Sequence, residues 1–155
     1  MCCTLWKTGS ERKNRLWWLI PVILILPVIL FAGKQGSQRL AAVRLTLWER
    51  PYTQAAEAVL DNKPYKNLPG VRYVNVWPCG EERMVEYHMG GGGLGSSTHY
   101  WGVYTTTDGK PFGWQGMELP LTAEGGGWIW QEDGGDNAYY TRELLPGWYY
   151  YRMEF

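Results

Sequence analysis

An uninterrupted apolar run near the N-terminus constrains this chain more than any other feature. Residues 16–33 read LWWLIPVILILPVILFAG and contain no charged and no strongly polar side chain. A helix of this length spans about 27 Å at 1.5 Å per residue, close to the hydrocarbon thickness of a bilayer. Trp17 and Trp18 lie in its first turn, where aromatic rings favour the lipid headgroups. The run therefore predicts a transmembrane helix.

The charges that precede the run predict its orientation. Residues 1–15 contain four basic side chains and one acidic one. Because the more basic flank of a membrane helix stays in the cytoplasm, the sequence predicts a single-pass protein of the cell membrane, with a cytoplasmic N-terminus and an extracytoplasmic C-terminal domain. The lipid bilayer is then one partner. A cleaved signal peptide is the alternative, although the end of the run lacks a small-residue cleavage site.

Changes in charge and in apolar and aromatic content along the sequence divide the chain into four regions. Residues 1–15 form a basic cytoplasmic N-terminus, residues 16–33 the transmembrane helix, residues 34–69 a juxtamembrane helical region, and residues 70–155 an aromatic-rich antiparallel β region. The β region and the preceding helix are expected to form one extracytoplasmic domain. With its 122 residues (155 − 33), this part is long enough to bury a core.

Two stretches before the β region have apolar residues at helical spacing. They are Leu40, Val43, Leu47 and Trp48 in residues 37–49, and Ala55, Ala56, Val59 and Leu60 in residues 52–62. Residues three and four apart share one face of a helix, so each stretch predicts an amphipathic helix. Val43, Leu45 and Leu47 also alternate as strand residues do, which leaves a strand possible for the first stretch.

From residue 70 onward the chain is rich in β-branched and aromatic residues. Short segments bounded by Gly, Pro or Asp predict strands at residues 71–77, 83–89, 99–106, 128–132, 138–144 and 148–155. The gaps between them are too short for parallel crossovers, so an antiparallel meander is expected. The predicted fold class is α+β, in which an N-terminal transmembrane helix is followed by one or two helices packed on an antiparallel β-meander.

The last strand predicts which of its faces is buried. Tyr149, Tyr151, Met153 and Phe155 alternate with Trp148, Tyr150, Arg152 and Glu154 up to the final residue. The second set contains the charged side chains, so this set is expected to face solvent.

Charge and motifs exclude several function classes. Fifteen basic and fifteen acidic residues cancel, which excludes a nucleic-acid binder that works by bulk charge. The run GGGGLG at residues 90–95 lacks the lysine and the following helix of a phosphate loop, and predicts a flexible hairpin loop. His88, His99 and Cys79 form no recognisable metal or nucleophile signature. We therefore expect no cofactor, no metal site and no catalytic residue, and the sequence favours a non-enzymatic protein.

The aromatic content is the feature that points to a function. Of the 85 residues from 71 to 155, 17 are Trp, Tyr or Phe. One face of a small sheet cannot bury them all, and exposed aromatic rings bind sugars or protein partners. The predicted binding residues are Trp148, Tyr150, Trp128 and Trp130. The other interpretation is that both faces of the sheet are covered.

The leading hypothesis is therefore a membrane-anchored binding or interaction domain whose partner is another envelope protein or a glycan. One alternative is a cell-envelope enzyme that acts on a wall polymer through acids such as Glu86 or Glu118. The other is an accessory subunit of a membrane complex, in which a second protein covers the aromatic face.

The C-terminal sequence also carries a resemblance. The stretches SSTHYWGVYTTTDGKPFGWQG and GGWIWQEDGGDNAYYTRELLPGWYYYRMEF resemble those of small single-pass membrane-anchored proteins of unknown function from Gram-positive anaerobic bacteria. The resemblance covers about the last 85 residues. It implies a bacterial envelope setting and no catalytic residue.

Overall fold

The described part of the chain begins with its one α-helix. The computed structural model describes residues 34–94 and 97–155, so the predicted transmembrane segment 16–33 and the basic residues 1–15 lie outside it. Helix α1 covers Lys34–Leu60 and bends at Trp48, where φ is −127° and ψ is 26°. The bend is explained by Pro51, which lacks an amide hydrogen and whose ring would clash with the carbonyl group of Leu47.

Seven strands follow and form a single antiparallel sheet. They are β1 Tyr73–Cys79, β2 Glu82–Leu94, β3 Ser97–Thr106, β4 Thr122–Glu124, β5 Gly127–Gln131, β6 Ala138–Leu145 and β7 Trp148–Glu154. The strand order is β1-β2-β3-β7-β6-β5-β4. Two meanders, β1 to β3 and β4 to β7, are therefore joined side by side through the pairing of β3 with β7.

Each face of the sheet has its own cover. Helix α1 packs on one face, which we call the helix face, and the connection between β3 and β4, residues 107–121, packs on the other, which we call the crossover face. Buried side chains of the helix-face core include Ala41, Leu45, Tyr52, Val85, Tyr87, Val103 and Tyr150. Those of the crossover-face core include Met84, Tyr104, Tyr139, Tyr149, Tyr151 and Met153, with Phe112, Trp114, Leu119 and Leu121 of the connection packed against them.

The predicted fold class is wrong. In place of a transmembrane helix with further helices on a meander, the described residues form one α-helix, a short 3₁₀ turn at Trp114–Gly116 and a seven-stranded sheet, so β structure predominates. No helix in residues 34–94 or 97–155 combines the length and the apolar character needed to cross a membrane. In α1, four charged residues between Arg39 and Arg50 interrupt the apolar sequence. The membrane localisation and single-pass topology predicted from the run at 16–33 are therefore corrected, because no described helix supports them.

Two predictions about the β region are also wrong. On the face of β7 that was expected to meet solvent, Trp148 and Tyr150 are buried, with 6% and 1% exposed, because α1 covers them, while Arg152 and Glu154 are partly exposed. The glycine run from Gly90 to Gly93 belongs to strand β2 and pairs with β3, so it is not a loop. By contrast, the predicted burial of Tyr149, Tyr151 and Met153 is confirmed, and Phe155 of the same set is partly buried.

Candidate functional site

An open cleft of about 410 Å³ lies on the crossover face. Its lining residues are Pro111, Phe112, Gly113, Met117, Glu118, Leu119, Leu121 and Trp128. All but Trp128 belong to the connection between β3 and β4, and Trp128 lies on β5. We call this feature the crossover cleft. Its volume falls within the range of about 300–1,000 Å³ that is typical of ligand sites. Most of its lining side chains are apolar, while about half of its exposed lining surface is polar.

Hydrogen bonds from the sheet fix the part of the cleft lining that the connection provides at Phe112. The hydroxyl groups of Tyr104 and Tyr139 donate to the carbonyl oxygen of Phe112 at 3.1 and 3.0 Å. The amide group of Phe112 donates to the Tyr104 hydroxyl oxygen at 3.0 Å. Since Tyr104 and Tyr139 are buried on strands β3 and β6, these bonds fix the backbone of the connection against the sheet. This part of the lining is therefore largely preformed.

The indole of Trp128, on β5, also lines the cleft. Its ring meets the ring of Tyr149 edge-on, with a centroid distance of 6.1 Å and an interplanar angle of 64°. Tyr149 is itself buried and stacked on Tyr104 at 5.2 Å. This row of rings positions Trp128 at the sheet surface, where it is partly exposed.

The four predicted binding residues are divided between the two faces of the sheet. Trp148 and Tyr150 lie under α1 in the helix-face core and cannot form a surface platform. Trp128 and Trp130 both pack against the crossover-face core and are partly buried. Only Trp128 lines the cleft. The structure thus brings one of the four to the cleft, and ligand binding by Trp128 or Trp130 stays a prediction.

A second polar arrangement is buried between strands β2 and β7. Tyr151 extends across Gly102 of β3, and its hydroxyl group donates to Glu86 Oε1 at 2.7 Å. Trp77 Nε1 donates to the other carboxyl oxygen at 2.9 Å. His88 Nδ1 lies 3.3 Å from the Tyr151 hydroxyl oxygen, and the ring of Tyr73 stacks on the imidazole at 4.4 Å. Glu86, His88 and Tyr151 are each at most 3% exposed.

The protonation of Glu86 determines the direction of these hydrogen bonds. When Glu86 is a carboxylate, Tyr151 donates to it, and the Tyr151 oxygen can accept from a protonated Nδ1 of His88. When Glu86 is protonated, it can donate to Tyr151, which then donates to an unprotonated Nδ1. Burial raises the pKa of Glu86, although the hydrogen bonds from Tyr151 and Trp77 act in the other direction. Burial also lowers the pKa of His88. The environment therefore favours the uncharged form of each group.

We expect the free energy of unfolding of Glu86→Gln to increase, relative to that of the wild-type chain, as the pH rises. Because the pKa of Glu86 is raised in the fold, its contribution to stability is fully present below the ordinary value of 4.5 and is lost as the pH rises through the folded-state pKa. A glutamine side chain has the same shape and does not ionise. Urea unfolding of both proteins between about pH 4 and pH 8 measures the difference.

The control for this experiment is Glu57→Gln, because Glu57 is exposed on α1. It removes one exposed carboxyl group, and the effect of Glu86→Gln should vary more strongly with pH than the effect of this variant. If the effect of Glu86→Gln on the free energy of unfolding varied with pH no more than that of Glu57→Gln, ionisation of Glu86 would not destabilise the fold.

Cys79 does not meet either histidine. Cys79 pairs with Glu82 at the β1–β2 turn, and His88 lies six residues further along β2, about 20 Å away at roughly 3.4 Å per residue. His99 pairs with Gly92, still further along. Burial and the charge of Asp108 raise the pKa of the Cys79 thiol to about 11, which disfavours the reactive thiolate. Within the residues that the structure describes, no group of three His, Cys, Asp or Glu side chains could hold a metal ion.

Sequence reasoning missed most of the crossover cleft. The signal was present in the segment PFGWQGMELPL at residues 111–121, which is too apolar for a solvated loop and too long for a hairpin turn. Such a connection is expected to cover something. Comparison of the chain with protein-family models, curated proteins and solved structures gives no match. The case for a function therefore rests on the geometry of the site.

Proposed function

We propose that this protein is a binding module whose crossover cleft takes a segment of a partner polypeptide, with an apolar side chain in the cleft and a basic side chain next to it. The observation that carries the proposal is the cleft itself, which Trp128 lines together with the apolar residues of a preformed connection. Clefts with this composition bind ligands by burying apolar groups, while a few polar groups set the orientation.

The charge of the cleft favours a cationic segment. Glu118 is exposed and is the one charged side chain among the residues that line the cleft. From residue 103 to 155 the chain has three basic and eight acidic residues, a net charge of −5. A cation is attracted by this field and by the faces of the aromatic rings. A sugar ring is a poorer fit, because its hydroxyl groups need several polar partners and the lining side chains offer two polar groups, the Glu118 carboxylate and the Trp128 indole N–H.

An enzyme is less well supported by the arrangement of the acids. Hydrolysis of a polymer through two carboxylates needs both of them at the scissile bond. Glu118 lies at the cleft, whereas Glu86 is buried and has both of its oxygens occupied by hydrogen bonds from Trp77 and Tyr151. The two acids named from the sequence thus lie at different sites, and binding is the better explanation.

We expect Trp128→Ala to weaken peptide binding about 10- to 30-fold, as the loss of a central tryptophan does in other interfaces. The probes are labelled synthetic peptides with a Leu-Arg core, a Leu-Glu core or a Ser-Arg core. Fluorescence anisotropy with the full chain should show the tightest binding for Leu-Arg, since this core supplies both the apolar group and the charge. Glu118→Gln should reduce the preference for Leu-Arg over Leu-Glu.

Trp130→Ala is the matched control. Trp130 lies two residues away on β5, packs against the same core and does not line the cleft, so its loss should leave peptide binding within about twofold of the wild-type value. Equal effects of the two variants, or equal affinity for all three peptides, would contradict the proposal. Binding of a labelled glucose oligosaccharide in preference to the peptides would assign the cleft to a glycan instead.

A further inference from the structure

The two edges of the sheet differ in how they would receive a further strand. One edge ends in β4, which has only three residues and carries the charge of Glu124. The other edge ends in β1, which has seven residues and contains neither a charged side chain nor a proline from residue 73 to 77. Edge strands are usually short, charged or interrupted by proline, because unpaired backbone groups attract other strands. By these features β4 is protected and β1 is open to pairing.

The direction of the backbone groups in β2 shows which residues of β1 are unpaired. The carbonyl oxygen of Arg83 on β2 accepts a hydrogen bond from the chain directly after β3, so the backbone groups of Arg83 point to that side. Because these groups alternate in direction along a strand, those of Val85 and Tyr87 also point to β3. The partners of these two residues on β1 are Val76 and Val74. Val74 and Val76 therefore direct their N–H and C=O groups to the open edge.

The residues on either side of this pair of valines offer less to a further strand. Pro78 has no amide hydrogen. The amide group of Arg72 already donates to the carbonyl oxygen of His88 at 2.8 Å. Val74 and Val76 are thus the residues that present both a free donor and a free acceptor at the β1 edge.

The sequence around the valines reads the same in both directions by residue class. Residues 73–77 are Tyr-Val-Asn-Val-Trp, so Asn75 has a valine on each side and an aromatic residue beyond each valine. In an antiparallel pair of β1 strands centred on Asn75, Val74 of one copy lies opposite Val76 of the other. The outward N–H and C=O groups of these valines then all find partners.

Other antiparallel registers of the same two strands satisfy fewer of these groups. A pair centred on Val76 sets Val74 opposite Pro78, which has no amide hydrogen to donate. A pair centred on Val74 sets Val76 opposite Arg72, whose amide group is already bonded to β2. The register centred on Asn75 is therefore the one in which both valines are fully paired.

The aromatic residues of β1 are placed to contact a second copy. The register centred on Asn75 sets Tyr73 of one copy opposite Trp77 of the other, and cross-strand aromatic pairs stabilise sheets. Tyr73 is 46% exposed, although one face of its ring stacks on His88 of β2. Its other face is directed to the open edge, where Trp77 of the second copy would cover it.

The charges at the two ends of β1 have opposite sign. Arg72 precedes the strand, whereas Glu81 and Glu82 follow it, and all three are exposed. The neighbouring Arg83 directs its guanidinium group to the carbonyl oxygen of Leu60 on α1. An antiparallel pair brings Arg72 of each copy to the acidic end of the other, and these charges attract. A parallel pair would align like charges.

We propose that two copies of this chain associate by antiparallel pairing of their β1 strands around a two-fold axis at Asn75. The pairing joins the two seven-stranded sheets into one and makes the same surface of each copy the interface. Strand β1 and the cleft residue Trp128 on β5 lie toward opposite edges of the sheet, so the inference does not depend on the peptide-binding proposal.

A charge at residue 75 tests the position of the axis, because this residue meets its own copy only when the axis lies there. Asn75→Asp and Asn75→Lys should each weaken self-association at least about tenfold, since each brings like charges together. A mixture of the two variants sets Asp opposite Lys and should restore association to within about threefold of the wild-type value. Sedimentation velocity of the full chain, with one variant fluorescently labelled, measures all these affinities. Recovery in the mixture also shows that both variants are folded.

A matched pair of proline variants tests the backbone pairing. Val76→Pro removes an amide hydrogen that points to the open edge and should weaken association at least about tenfold. Ala123→Pro makes the same change on β4 and should leave association within about twofold of the wild-type value. Ala123 is matched because the Glu132 amide group donates to the carbonyl oxygen of Asn137 on the β6 side, which makes Trp128 point to β6 and its partner Ala123 point outward.

Three outcomes would overturn the inference. A chain that stays monomeric up to about 100 μM would have no such interface. Self-association that neither Asn75 variant weakens, or that both proline variants weaken equally, would belong to another surface. If both Asn75 variants weakened association and their mixture did not recover it, residue 75 would not lie on a two-fold axis, and the antiparallel pairing of β1 with itself would be wrong.

Discussion

Tyr150→Ala and Tyr151→Ala are each expected to lower the free energy of unfolding by about 3–5 kcal/mol, which is the usual cost of truncating a buried aromatic side chain. The two residues are neighbours on β7 and point to opposite faces of the sheet, yet each is only 1% exposed. Tyr150 packs under α1, and Tyr151 packs under the crossover connection. Urea denaturation of the two variants measures the effect.

Tyr65→Ala provides the comparison, because Tyr65 is 40% exposed. Its loss should cost less than about 1 kcal/mol. A large effect of Tyr151→Ala alone would mean that α1 does not seal the helix face in solution. This outcome would restore the expectation from strand alternation that Tyr150 faces solvent.

The alternation of β7 shows what a local pattern can determine. A period of two residues identifies a strand and divides its side chains between two faces, as it did for Tyr149, Tyr151 and Met153. It cannot report how many faces are covered. Seventeen aromatic residues in residues 71–155 indicated that one covered face was too few. One face is covered by α1 and the other by the crossover connection. Which elements cover the two faces is determined by the tertiary structure and not by the pattern of one strand.

The pairing of the strands shows the same division between local and distant information. Short turns connect β1 to β2 and β6 to β7, and the sequence predicted strands at all four places. The contact that unites the sheet is the antiparallel pairing of β3 with β7, whose residues His99 and Glu154 are far apart in the chain. No turn specifies such a pairing, since it depends on burying both aromatic faces at once.

Helix α1 shows why its buried side was not found from hydrophobicity. The predicted stripe Leu40, Val43 and Leu47 is the more apolar one, but the structure buries Ala41 and Leu45 and leaves that stripe exposed. Alanine allows the helix backbone to approach the large rings of the sheet, such as Tyr87, more closely than leucine would. Close packing thus outweighs the hydrophobicity of single residues in deciding which side of α1 is buried. The more apolar residues Leu40, Val43 and Leu47 remain exposed on its outer side.

The second large effect is expected from a single methyl group at Gly102. A Cβ atom added there would overlap the carbonyl oxygen of Tyr87 and would lie 2.9 Å from Cε1 and 3.1 Å from the hydroxyl oxygen of Tyr151. Gly102 pairs with His88 on β2 and lies beneath the Tyr151 ring. The absence of a side chain at this position is what allows Tyr151 to reach Glu86 across strand β3.

Gly102→Ala should therefore lower the free energy of unfolding by roughly 2–6 kcal/mol, which combines about 1–3 kcal/mol for overpacking with about 1–3 kcal/mol for buried polar groups that lose their partner. Neither clash is with the end of a flexible side chain, since one involves the backbone of β2 and the other a ring held in the core. Chemical denaturation measures the loss, and the indole N–H resonance of Trp77 should shift because its acceptor Glu86 is disturbed.

Gly92→Ala is the matched control on the same pair of strands. A Cβ atom at Gly92 would approach nothing closer than 3.4 Å, the Cε1 atom of His99, so the change should be neutral or stabilise the fold by up to about 1 kcal/mol. A comparable loss of unfolding free energy in both variants would mean that alanine destabilises any glycine position of the β2–β3 pair, and that the Tyr151 contact is not the cause. A loss confined to Gly102→Ala, together with the Trp77 shift, would show that the glycine is required for the buried contact between Tyr151 and Glu86.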